Sequence, residues 1–459
     1  MASGEGDSVT TGTWLDDLSP SQATQRAQQT ALGDMIVLWG GRLLMAGFFF
    51  VIFVGLHPLS RDVGENAGGN AERQVSFLAL AALATPLVLM RWERAIQIVL
   101  RSWPLLVVFA AMAMTTLWST YPGVTVRRMI LVIIVYIVAV GLASALRTPR
   151  DYLTALAFGY AAILLIDLAL SVAMPGFAYT PLGLAGIHGQ KNVAGMAGLM
   201  FLACFSSILV GARQPIGFWV SVALLLLSFL FLGLTNSKTS LAVGLLATVF
   251  AAPVLALGHR GFVYATLLPL FFVVMAGLVI FATGAFDLTG ADWAQITTGD
   301  PTFTGRDEIW SASLKEIAKA PWLGHGWGAV WSMLPLSHPL SQHIGFWTDT
   351  YETLLIINQS HNGYLDILMH GGIFLLTVVL LFLAKQIRDV VVAFKWQDRW
   401  YVAGNVFFGT FLLSLLINNM MEATLFFPDG LLGQFLILLT VAHTGWRLSW
   451  NRQALARTR

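Results

Sequence analysis

"IGFWVSVALLLLSFLFLGLT", residues 216–235, contains no charged side chain. As a helix rising 1.5 Å per residue it would be roughly 30 Å long, the thickness of a bilayer's hydrocarbon core. Other uncharged or nearly uncharged runs of similar length recur along the 459-residue chain, which is 57% hydrophobic and only 11% charged. Soluble domains have a clearly smaller apolar share and about a quarter charged residues. The composition therefore reads as an all-α polytopic membrane protein.

Apolar runs bounded by charges and turn residues predict about twelve transmembrane helices, near 37–57, 74–90, 104–119, 128–146, 152–174, 193–211, 216–235, 239–257, 262–284, 364–384, 399–419 and 427–446. The expected organisation is a polar cytosolic tail (1–36), nine spans (37–284), a long outer loop with short amphipathic helices (285–363), three further spans (364–446) and a basic cytosolic tail (447–459). With the N-terminus inside, the inner connections hold sixteen Lys and Arg against nine in the outer ones. Positive connections stay in the cytosol. Both termini are expected inside a bacterial inner membrane, with the long loop in the periplasm.

Several functions are disfavoured at this point. The net charge of +2 and the absence of a basic stripe interleaved with aromatics speak against nucleic acid. The single cysteine, Cys204, permits no intrachain disulfide and no thiolate metal cluster. His325, His338 and His343 fit no common zinc spacing, so no metal is expected and no cofactor is required. Ser237 and Lys238 in "TNSKTS" point about 100° apart on a helix, a poor hydrolase pair. Arg42 and Asp167 are the main ionisable groups within spans, few for an ion-coupled transporter.

The outer ends of the spans carry an anomaly. Unpaired N–H groups make a helix start locally positive, which favours an anion. Yet "HGQKN" places Lys191 at the start of span six, "TNSKTS" places Lys238 in the first turn of span eight, and "TFTGRDEIW" places Arg306 at the start of a loop helix. Thr304 would cap that helix with Asp307 three positions on. Its residues Ile309, Trp310, Leu314 and Ile317 form one apolar face that would lie along the membrane. Each cation alone could snorkel to the interface or pair with an acid, as Arg306 could with Asp307 or Glu308. Three such starts together make a diphosphate site, with helix N–H groups donating and the side chains supplying full charges.

"QSHNGYLDILMHGG" (359–372) opens span ten. Ser360 is expected to cap it, beside Asn362. His361 then sits in the positive field of the helix start, which favours a neutral imidazole able to accept a proton; alone, it would more simply be a hydrogen-bonded cap residue. Glu422, in the outer turn "NNMMEATLFFPD", reads either as a partner that orients a site residue or as a solvated acid. His325 reads as loop structure or acceptor-site lining.

"GIHGQKNVAGMAGL", "TNSKTSL", "TGRDEIW", "LGHGWGAVW" and "SHNGYLDILMHGGI", in this order over roughly 180–375, resemble the O-antigen ligase and polysaccharide polymerase superfamily, especially its exopolysaccharide-polymerase-like members. The resemblance implies a multi-span glycosyltransferase whose donor is a polyprenyl diphosphate-linked oligosaccharide, working without a metal. It implies that His361 is the base, that Arg306 is the loop arginine, that Lys191 is the basic position before Asn192 and that Lys238 is the basic residue near a Ser. With the helix-start reading these three cations are expected to bind diphosphate, and Asn192, Ser360, Asn362, His325 and Glu422 to support the site. Gln190 stands where relatives often have His. The implied partners are the lipid-linked donor, a glycan acceptor that is either a lipid-linked repeat unit or lipid A core, membrane lipids and a chain-length copolymerase. Polymerase is the expected activity, with ligase as the alternative and a lipid-linked oligosaccharide flippase as the reading from another class.

Overall fold

The structure is a computed structural model that describes residues 20–55, 71–257, 295, 306–332, 359–427 and 430–457. The expected ninth span, His338, His343 and Thr304 lie outside these residues. The helices are α1 (Pro20–Phe49, continued by a π-helical turn Phe50–Val54), α2 (Ala71–Met90), α3 (Trp92–Arg101), α4 (Trp103–Met114), α5 (Pro122–Ala145), α6 (Pro149–Ala173), α7 (Lys191–Gly211) and α8 (Pro215–Leu234). There follow α9 (Lys238–Leu245, continued through a π turn to Leu257), the loop helix α10 (Arg306–Lys319), α11 (Gly363–Val392), α12 (Arg399–Asn418) and α13 (Leu431–Arg457). A two-stranded hairpin pairs β1 (Tyr179–Thr180) with β2 (Gly183–Leu184) between α6 and α7.

Among the described residues, nine helices are long and apolar enough to cross a membrane, and a tenth span is made if α3 and α4, bent by 67°, count as one. This is a multi-pass membrane protein. The connection expected before residue 104 is therefore helical, and α1 and α13 run on into the stretches expected as polar tails. Arg94 on α3 turns inward because its guanidinium donates to the carbonyls of Ala143, Arg147 and Gly445 and to Ser449 Oγ, at 3.0–3.3 Å. These bonds satisfy a cation in a place where it would otherwise be expensive.

Hydropathy and burial contrast most at two spans. The span in α8 has a mean hydropathy of 2.4 and is 22% buried, whereas α13, at 1.2, is 94% buried. A side chain facing lipid must be apolar, while a central helix can carry polar groups that find partners within the protein. On α13, His443 pairs with Asn405 Oδ1 at 3.3 Å.

Helix α11 is broken within its first third. Gly372 adopts φ +62°, ψ −164°, and the strap after α10 fills the break. The N–H groups of Ile373 and Phe374 donate to the carbonyls of Pro321 and Trp322, and those of His325 and Gly326 donate to the freed carbonyls of Met369 and His370, at 2.9–3.1 Å. Backbone groups freed at membrane depth need internal partners, and this strap supplies them. Ile309, Ala312, Val330, Trp331 and Met369 form the small apolar cluster that seats α10 on α11.

Gly372→Ala is expected to unseat the strap. A non-glycine residue at this positive φ and extended ψ, a region essentially kept to glycine, costs about 1–3 kcal/mol, and a Cβ would overlap the Trp322 carbonyl group. A lowered thermal unfolding midpoint with Gly372→Ala, against little change for Gly123→Ala, whose Cβ meets nothing, checks it. Equal midpoints would overturn it.

Candidate active site

Lys191 and Lys238 occupy the first positions of α7 and α9, and Arg306 is the first described residue of α10. Neither α7 nor α9 has a side chain capping its start, so N–H groups there stay open to an anion. Arg306 and Lys238 both lie close enough to Lys191 to repel it electrostatically. Lys191 has no hydrogen-bond or ion-pair partner among the described residues.

The start of α11 corrects one expectation. Asn362, and not Ser360, is the cap: its Oδ1 accepts the N–H groups of Tyr364 and Leu365 at 3.0 and 3.1 Å. Ser360 instead braces the turn. Its hydroxyl donates to the Asn362 carbonyl and accepts the Asn362 N–H, while its own N–H donates to Asp366 Oδ1. The residue between them, His361, has φ +53°. A left-handed histidine is uncommon, though less strained than a β-branched residue would be, and the bonds of Ser360 and Asn362 on either side hold it. Trp331 Nε1 donates to the same Asp366 oxygen at 3.0 Å, and Trp310 Nε1 to the Ser360 carbonyl at 3.1 Å, so α10 and the strap brace this turn as well.

Glu422 joins these parts. Its side chain is 8% exposed. Oε1 accepts Arg306 Nη2 at 2.7 Å and Asn192 Nδ2 at 3.0 Å, and Oε2 lies 3.1 Å from His361 Nδ1. Of the two sequence readings of Glu422, the orienting partner is the one the geometry favours. The turn that carries it is built locally: Asn419 Oδ1 accepts the N–H groups of Thr424 and Leu425, and Gly363 N–H is shared by the carbonyls of Asn419 and Glu422. Glycine is needed at 363 because a Cβ would collide with the Asn419 side-chain oxygen.

A carboxylate can only accept, so Nδ1 of a neutral His361 carries the proton it donates to Glu422, and Nε2 keeps its lone pair. A histidine held in this way by an acid could act as a base; Arg306 bonds the same acid, and Lys191 is within electrostatic reach of Arg306 and Lys238.

His325 is not brought to Glu422. Its Nε2 faces the Glu316 carbonyl at 3.0 Å and its backbone belongs to the strap, which agrees with loop structure more than acceptor lining. Sequence reasoning missed His188. Its Nε2 lies 2.8 Å from Asp167 Oδ2, whose other oxygen accepts the Ile187 N–H. Asp167, a wholly buried acid within α6, was the available signal, because such an acid requires a partner.

The described residues thus form a mostly helical, multi-pass membrane protein with a His–Glu–Arg cluster gathered near helix ends. Residues 222–380 match the family model described as O-antigen ligase, which supports a relation to the O-antigen ligase and polysaccharide polymerase superfamily. The match takes in Lys238, Arg306 and His361 and leaves out Lys191, Asn192 and Glu422. It implies glycosyl transfer of the ligase or polymerase kind between a lipid-linked glycan and an acceptor. No curated protein matches the chain.

Proposed function

We propose that the chain is a polysaccharide polymerase of a bacterial inner membrane, which transfers a polyprenyl diphosphate-linked glycan to an acceptor sugar hydroxyl with inversion. The observation that carries this reading is the single buried carboxylate of Glu422 holding His361 and Arg306 together, with Lys191 and Lys238 in electrostatic range of each other. His361 Nε2 takes the acceptor's hydroxyl proton, the oxygen bonds to the anomeric carbon, and the bond to the diphosphate oxygen breaks with its electron pair leaving on the diphosphate. Lys191, Lys238 and Arg306 stabilise the charge that gathers there. Attack opposite the leaving group inverts the anomeric centre. The site faces the periplasm, both termini lie in the cytosol, and a chain-length copolymerase is the expected partner.

Removing one preorganised donor to a developing oxyanion costs about 10²–10³-fold in turnover. Lys191→Ala is expected to fall in that range, because no acid among the described residues ties this cation down. A wild-type rate in steady-state assays of Lys191→Ala would remove it from the mechanism. Chelator is expected to leave the rate unchanged, since protein cations meet the diphosphate, and a strict divalent-ion requirement would contradict this.

The description of the matched family favours a second reading, the ligase. Purified protein given only a lipid-diphosphate-linked repeat unit tests the two. A ladder of longer lipid-linked glycans supports the polymerase. Transfer only after lipid A core is added supports the ligase, and silence with both favours a flippase.

A further inference from the structure

A cavity of about 290 Å³ lies between the end of α1, the start of α2, the turn before α7 and the start of α13, and the mechanism above makes no use of it. Its polar lining is Arg73, His188 and Gln434, and its apolar lining includes Phe53, Phe77 and Val193. We infer that this cavity is a saccharide subsite, which takes one sugar ring of the glycan being transferred; the inference rests on the glycosyl-transfer reading.

The lining has the chemistry a sugar ring needs. A guanidinium donates, an amide both donates and accepts, and an imidazole provides one more hydrogen-bonding nitrogen, so the three can pair with several hydroxyls. Phe53, Val193 and Leu431 supply apolar surface for the C–H face of the ring, while the Arg73 guanidinium lies over the Phe77 ring at 5.7 Å. Pockets for small ligands combine a mostly apolar wall with a few placed polar groups in this way, and the volume, at the low end for such sites, limits the occupant to about one ring.

The polar wall is held in place from behind. Asp167 and His188 have side chains 0% and 2% exposed, and a buried acid within a span is costly enough to indicate a task. Because the Asp167 carboxylate accepts the Nε2 proton, a neutral His188 keeps Nδ1 as its acceptor. Phe53 and Phe231 pack edge-on against the imidazole and keep it from turning. Gly186, at φ +56°, lets the chain pass so close to Asp167 that a Cβ would overlap the carboxylate.

The position relative to the catalytic cluster follows from α7. Val193 lines the cavity, while its neighbour Asn192 bonds Glu422. Adjacent Cα atoms are 3.8 Å apart. Val193 and Asn192 point about 100° apart on α7, so the cavity and the Glu422 cluster flank one turn of the same helix, and the subsite would take a neighbouring ring of the glycan that reacts at His361. A prenyl chain would find three polar groups in its path there.

The test titrates the free repeat-unit oligosaccharide, released from its lipid by mild acid, into the full-length protein in nanodiscs by calorimetry, and measures KM and kcat for the lipid-linked unit in parallel. Gln434→Leu removes hydrogen bonds at nearly constant volume and is expected to weaken oligosaccharide binding and raise KM about tenfold, with kcat nearly unchanged. Val193→Phe fills the cavity from α7 and is expected to abolish oligosaccharide binding, which keeps the idea testable if Gln434→Leu does not fold. Wild-type affinity in both variants, or no binding to the wild type, overturns the subsite. Turnover absent while the variants still lose oligosaccharide binding would sink the transferase reading and leave the subsite standing.

Discussion

Replacing His361 with alanine is expected to lower turnover by about two to four orders of magnitude, the usual worth of a positioned base, with little loss of lipid-linked donor binding. The separation follows from the geometry. In the proposed mechanism Lys191, Lys238, Arg306 and the starts of α7 and α9 meet the diphosphate, whereas His361 meets Glu422 through Nδ1 and turns Nε2 to the acceptor. Alanine also accepts the left-handed backbone at 361 less readily than histidine does. His361→Asn tolerates that backbone while lacking the base, and separates the two effects: it should be as slow as His361→Ala and more stable. Single-turnover rates with saturating donor, together with donor affinity from binding assays, provide the check. A wild-type rate in either variant would remove His361 from the chemistry.

Glu422→Gln is the sharper experiment, because it changes a proton and hardly any volume. An amide oxygen at the Oε1 position can still accept from Arg306 and Asn192, so the amide nitrogen falls opposite His361 Nδ1. That nitrogen donates, which requires Nδ1 to accept and moves the imidazole's proton to Nε2, where no lone pair then remains for the acceptor hydroxyl. In an oriented base of this design, the equivalent amide substitution costs about 10⁴ in kcat, and a loss of about 10³–10⁴ is expected here. Glu422→Ala should behave differently. It leaves Arg306 shielded without its acid, a defect worth about 3–5 kcal/mol for a buried pair, and should lower the thermal midpoint along with the rate. If Glu422→Gln keeps its stability and its rate, the acid serves only to neutralise Arg306, and the orienting role fails.

Much of the site is legible in the order of the residues. Lys191, Lys238 and Arg306 stand where an apolar run or an amphipathic helix begins, and a cation at a helix start breaks a local electrostatic preference visible in one dimension. The turn at 360–362 is legible in kind and not in detail. Ser and Asn are both good caps, and only the structure separates them: the Ser360 hydroxyl is taken up by the Asn362 backbone, while Asn362 Oδ1 accepts the Tyr364 and Leu365 N–H groups. The His188–Asp167 pair is not legible, since its members lie on different elements and only α6 packing beside the turn before α7 makes them neighbours.

That the chain is helical and crosses a membrane many times follows from its residues alone, because long uncharged runs have no stable alternative to a helix in hydrocarbon. So does the identity of the residues that are costly at the ends of those helices. Three-dimensional packing was needed to put α13, the least apolar of the nine spans, in the middle, to repair the break in α11 with the strap after α10, and to gather Asn192, Arg306 and His361 around Glu422. The physical reason is the same in each case. Hydropathy and helix signals are local sums over neighbouring residues, whereas burial and ion pairing depend on which distant surfaces meet, and the partners of Glu422 lie 61, 116 and 230 positions away from it.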